Sequence, residues 1–138
     1  YYSTFSSKEL KIEDPVVKIP IFTLNSFEKD YSSSNIFKEN VTLPIGNSEN
    51  LKAIKIDNDS MEPFFNKNSL VLFDFDEINI SNNDIGLFKI NDKYSIGRYY
   101  LNNGFTIISY DNKKHSPVVI NKKSGFMIIG IYKGHISI

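Results

Sequence analysis

The feature that most constrains this chain is a polar turn held between two β-forming runs. Leu51-Lys52-Ala53-Ile54-Lys55-Ile56 leads into Asp57-Asn58-Asp59-Ser60-Met61-Glu62-Pro63, and Ser69-Leu70-Val71-Leu72-Phe73-Asp74 leads away. Branched and aromatic side chains suit a pleated surface, whereas Asn, Asp, Ser and Pro favour turns. In the first run Leu51, Ala53 and Lys55 fall on one face, and Lys52, Ile54 and Ile56 on the other. Ser60 therefore stands at the end of a strand, a place that can hold a nucleophile. By spacing alone Ser and Asp at such a junction are more often turn formers than catalysts.

The rest of the chain repeats short strands and turns. Ile85-Gly86-Leu87-Phe88-Lys89-Ile90, Asn91-Asp92 and Lys93 to Tyr100 read as a hairpin, because Asn-Asp suits a two-residue turn with positive φ. That register sets Ile90 against Lys93 and Gly86 against Gly97. Opposed glycines mark a bulge or a close approach of another group. Phe105 to Tyr110 and Pro117 to Ile120 read as further strands. Phe126 to Tyr132 is nearly continuously apolar, which predicts a strand covered on both faces. Val16 to Phe22 is extended, with Pro20 making it an edge or irregular strand. Ile36 to Pro44 is a weaker strand, and 28–35 and 46–50 read as loops. Tyr1 to Asp14 is a polar arm, closed by Pro15. Residues 1–15 are thus expected as a linker or arm and 16–138 as one mostly β domain.

Composition narrows the function classes. The chain has 138 residues, enough for one domain with a real core. Lys plus Arg and Asp plus Glu both number 16, so no basic footprint for nucleic acid stands out. Without cysteine neither a disulfide framework nor a thiolate metal site can form. Two histidines far apart argue against zinc, and Asp74 with Asp76 reads as a solvated strand end. No metal or cofactor is expected. No apolar stretch spans a membrane and no signal peptide is visible, which makes the cytoplasm the default.

Ser60-Met61-Glu62-Pro63 followed by Asn66-Lys67-Asn68-Ser69-Leu70-Val71-Leu72 resembles the Gly-Asp-Ser-Met-x-Pro…Asp-Gly-Asp-x-Val motif of LexA/CI-type repressor C-terminal domains. The likeness continues through Asn83-Asp84-Ile85, Tyr94-Ser95-Ile96-Gly97-Arg98, His115-Ser116-Pro117-Val118-Val119-Ile120 and Ile128-Ile129-Gly130-Ile131-Tyr132. It covers residues 16 to 138. UmuD-like polymerase accessory proteins share the family, and type I signal peptidases are similar. The resemblance implies a LexA C-terminal-type antiparallel β fold of several small twisted sheets, with Ser60 at the nucleophile position. It also implies a homodimer to which the C-terminal strand contributes.

Two departures bear on chemistry. The family's base is a neutral lysine in Val-Lys-Arg, and the matching residues here are Ile96-Gly97-Arg98. The family also cuts an Ala-Gly or Cys-Gly bond near the segment matching Ile19-Pro20-Ile21-Phe22. Here no glycine occurs before Gly46, and the only alanine, Ala53, precedes Ile54. Replacement bases are few. Arg98 points to the opposite face of a regular strand and stays protonated. Lys93 shares the face of Gly97 but lies roughly 13 Å along the strand. Lys55 could reach Ser60 from an adjacent strand, and His115 is expected as a surface histidine in a turn.

Three functions follow. One is the dimerisation and regulatory domain of a LexA/CI-like repressor that cannot self-cleave, with a helix-turn-helix domain upstream of Tyr1 reading operator DNA. Such a repressor would be released by an antirepressor or another binding partner. The second is an active autopeptidase of the SOS response stimulated by RecA. The third is a UmuD-like accessory protein.

Overall fold

The computed structural model describes residues 3–5, 17–24, 40–43 and 51–137. The strands are β1 (Ser3–Phe5), β2 (Val17–Thr23), β3 (Asn40–Leu43), β4 (Leu51–Lys55), β5 (Leu70–Asp74), β6 (Ile85–Ile90), β7 (Lys93–Asn102), β8 (Phe105–Ser109), β9 (Val118–Ile120) and β10 (Phe126–Ile136). The expected mostly antiparallel β fold holds. The strands join in one hydrogen-bonded path, β3-β2-β4-β5-β10-β6-β7-β8-β9, with β1 paired to β10. Two pairings are parallel, β1 with β10 and β2 with β4.

Turn chemistry sets much of the path. Asn91 and Asp92 take φ of 48° and 68°, the primed-turn geometry that matches strand twist. The β6–β7 ladder then has the expected register, with Ile90 opposite Lys93 and Gly86 opposite Gly97. The next hairpin turns on Asn103 and Gly104, again both at positive φ. It sets Asn102 against Phe105.

β10 is the central strand. Phe126 to Ile131 pairs with β6, and Ile131 to Ile136 pairs with β5. Register shifts occur between Ile128 and Gly130 and between Tyr132 and Gly134. A Cβ on Gly130 would lie 3.1 Å from the Asp74 carbonyl oxygen, so β5 passes close over the first bulge. The prediction of cover on both faces holds for the buried middle at Gly130, Ile131 and Tyr132. It fails at Met127, which is 57% exposed.

The N-terminal stretch adds two findings. Ser3–Phe5, within the polar arm, forms β1 and pairs with Gly134 to Ile136. Such pairing uses backbone groups, so no apolar pattern announces it. In β2, Val17 to Pro20 pairs with β3, and Ile21 to Thr23 pairs with β4. β2 is therefore not an edge strand: Pro20 sits where it changes partner, and a residue without an N–H costs little there. The loops expected at 28–35 and 46–50 lie outside the described residues.

The β4 alternation is realised. Ile54 and Ile56 enter the main core with Phe22, Phe65, Val71, Phe73, Leu87 and Tyr132. Leu51 and Ala53 face a second cluster with Leu72, Ile21 and Ile136. Burying each large side chain contributes about 1.5–3 kcal/mol. This two-sided burial fixes β4 and β5, and with them the turn that they carry.

Candidate functional site

The turn between β4 and β5 is closed by its own residues. Asn58 Oδ1 accepts the Ser60 N–H at 3.0 Å, an Asx turn that orients the residue after next. The Asp59 carbonyl accepts the Glu62 N–H at 3.2 Å, and the Met61 carbonyl accepts the Phe64 N–H at 2.9 Å. The Glu62–Pro63 peptide is cis. At the far end Asn68, at φ 77°, donates its N–H to the Ile56 carbonyl at 2.8 Å. Met61 and Phe65 are buried and pin the loop to the core. Phe64 packs on the same core, with its ring 5.6 Å from Tyr132.

The segment after β8 holds the turn from the other side. The Asn112 N–H donates to the Ser60 carbonyl at 3.0 Å. Its side-chain Nδ2 donates to the Asp59 carbonyl at 3.0 Å. His115 Nε2 lies 2.7 Å from Asp59 Oδ1. The His115 hydrogen bond holds the Asp59 carboxyl below its usual range. One residue before Asn112, Asp111 receives Arg98 in a two-point contact, Nε to Oδ1 at 2.7 Å and Nη2 to Oδ2 at 3.0 Å. Arg98 also donates Nη1–H to the Asn83 carbonyl at 2.9 Å, and its guanidinium stands 5.1 Å from the Phe64 ring centre. Gly97 is thus followed by an arginine that braces the loop carrying Ser60.

A cleft of about 460 Å³ opens beside Ser60, lined among others by Asn58, Tyr94, Ser95, Tyr110, Lys114 and His115. Among the described residues the Ser60 hydroxyl makes no hydrogen bond. Gly97 is buried, and the space above it is occupied. A Cβ there would lie 2.7 Å from Ile108 Cγ2, 2.9 Å from the Ser109 carbonyl oxygen and 3.2 Å from Tyr110 Cε1. The Tyr110 hydroxyl is hydrogen-bonded to Ser95 Oγ at 2.7 Å.

The remaining sequence candidates separate cleanly. Lys55 ends β4, exposed, and Lys93 is exposed at the hairpin; neither lines the cleft. His115, expected at the surface, stands half-exposed, lines the cleft and is held by Asp59. Asn112 and Tyr110 were not singled out by the sequence, because their partners are distant in the chain. Among the described residues no group of three or more His, Cys, Asp or Glu could hold a metal. The Asp74 carboxylate accepts the Asp76 N–H at 2.9 Å.

A family model described as Peptidase S24-like matches residues 18–133, a span that includes the Ser60 turn, Gly97 and the His115 segment. The chain belongs to the Peptidase S24-like family. That is the LexA/CI/UmuD-type grouping which the Ser-Met-x-Pro motif suggested. No curated protein matches the chain. Among the described residues, no helix of this S24-like chain is long and apolar enough to cross a membrane.

Proposed function

We propose that this S24-like chain is the C-terminal dimerisation and regulatory domain of a LexA/CI-like transcriptional repressor that does not cleave itself. The observation that carries this is the filled space above Gly97. Ile108, Tyr110 and a backbone carbonyl occupy the room that a lysine stem would need. Removing a general base costs about 10²–10⁴ in rate. The sequence also lacks an Ala-Gly or Cys-Gly pair for Ser60 to attack.

In this reading the protein acts in the cytoplasm as a homodimer. Operator DNA is bound through a helix-turn-helix domain encoded upstream of Tyr1, because paired reading heads match paired half-sites. Release comes from a binding partner such as an antirepressor, and not from RecA-stimulated cleavage.

The test is sedimentation of the natural gene product with and without operator DNA. A dimer that shifts onto a two-half-site operator supports the proposal. A product that ignores DNA and is pulled down with a translesion polymerase contradicts it and favours a UmuD-like role.

A further inference from the structure

The loss of lysine does not leave Ser60 alone. His115 lines the same cleft as Ser60. Its Nε2 is 2.7 Å from Oδ1 of Asp59, the residue that immediately precedes Ser60. The two segments are locked together, since Asn112 binds the carbonyls of both Asp59 and Ser60. The Tyr110 ring flanks the imidazole edge-on at 6.2 Å. With Nε2 committed to a carboxylate, Nδ1 is left as the basic nitrogen. Among the described residues neither His115 Nδ1 nor the Ser60 hydroxyl has a hydrogen-bond partner.

The geometry points to a second chemistry: Asp59 and His115 form a base that serves Ser60 toward external acyl donors, making the cleft a slow serine esterase. Ser60 Oγ adds to the carbonyl carbon of an ester while its proton passes to His115 Nδ1. The bond to the leaving alkoxide breaks, and the imidazolium returns the proton to it. Water then repeats the sequence on the acyl-enzyme, releasing the acid and restoring Ser60. Asp59 holds the imidazole and stabilises its charged form, the orienting role that a base needs from a third group. Tyr94, Tyr110 and Ile96 give the cleft an apolar wall for a small acyl group. This activity leaves the regulatory role above intact, because an external ester brings a carbonyl that the chain itself, without an Ala-Gly or Cys-Gly pair, does not offer Ser60. A chain that stays intact in cells and fails to acylate would keep the role and remove the activity.

The test uses a fluorophosphonate ester, which leaves a stable adduct on an activated serine as fluoride departs. The 138-residue chain is incubated at neutral pH, and the adduct is followed by intact mass. The expected result is one adduct on Ser60, absent in Ser60→Ala. His115→Gln slows its formation by about 10²–10⁴. Circular dichroism checks that His115→Gln stays folded; should it unfold, Asp59→Asn, which weakens the hold on the imidazole, decides by slowing the adduct in the same direction. No Ser60 adduct, or a rate untouched by His115→Gln and by Asp59→Asn, would overturn the proposal.

Discussion

Gly97 faces Gly86 across the β6–β7 ladder, and both empty positions are filled from elsewhere in the sheet. The Phe88 ring folds back over Gly86, where a Cβ would meet Phe88 Cζ at 2.6 Å. Ile108 and Tyr110 close over Gly97. The space above Gly97 is packed, which makes its tolerance to substitution measurable.

Gly97→Ala should therefore destabilise. Replacing glycine in a strand gains about 0.5–1 kcal/mol, but overpacking costs about 1–3 kcal/mol. The clash wins because one neighbour is the Ser109 carbonyl, which moves only with its strand. Gly97→Lys should cost more and yield no self-cleavage fragment. Denaturant melts give the first result, and intact mass at alkaline pH the second.

Arg98→Lys should behave as a disruptive change. Lysine cannot reproduce the two-point contact with Asp111 or the stacking on Phe64. The pair is neither deeply buried nor free in solvent, at 16% and 21% side-chain exposure. A loss of about 1–3 kcal/mol is expected, between the values for exposed and buried pairs. Hydrogen exchange should quicken at 58–65, while the β6–β7 ladder keeps its protection.

Asn112→Ala removes the Nδ2 bond to the Asp59 carbonyl but leaves the backbone bond to Ser60. The expected cost is about 0.5–1.5 kcal/mol, that of one hydrogen bond, because the Asp59 carbonyl keeps the Glu62 N–H. Exchange at the Asp59 and Ser60 amides reports whether the turn loosens.

His135 should give stability a pH dependence. It is buried on β10 against Phe64, Phe65 and Tyr132, whose hydroxyl is hydrogen-bonded to its Nδ1. Burial lowers its pKa. The unfolded imidazole titrates near about 6.5, so between the two values the unfolded chain binds more protons. Stability is then full above the unfolded pKa and falls as pH drops through that window toward the folded one. Urea melts from pH 5 to 8 should show the slope, and His135→Phe should flatten it.

The local features were legible, and the reasons are local. Asn91-Asp92 dictates a primed turn, and the turn dictates that Gly86 meets Gly97. Alternation in Leu51 to Ile56 sorts side chains between two cores. What escaped depends on contacts between distant segments. His115 reaches Asp59 across 56 residues, and Asn112 reaches it across 53. A polar residue in a turn carries no mark of such a partner. Pro20 was readable as an irregularity, but not as the point where β2 changes partner.

The central claim is that this chain regulates without cutting itself. The most direct measurement is the intact mass of the natural gene product in cells before and after DNA damage. The expected result is one species, heavier than the 15.8 kDa chain and unchanged by damage. Damage-dependent fragments, one near the mass of this chain and lost in Ser60→Ala, would contradict it.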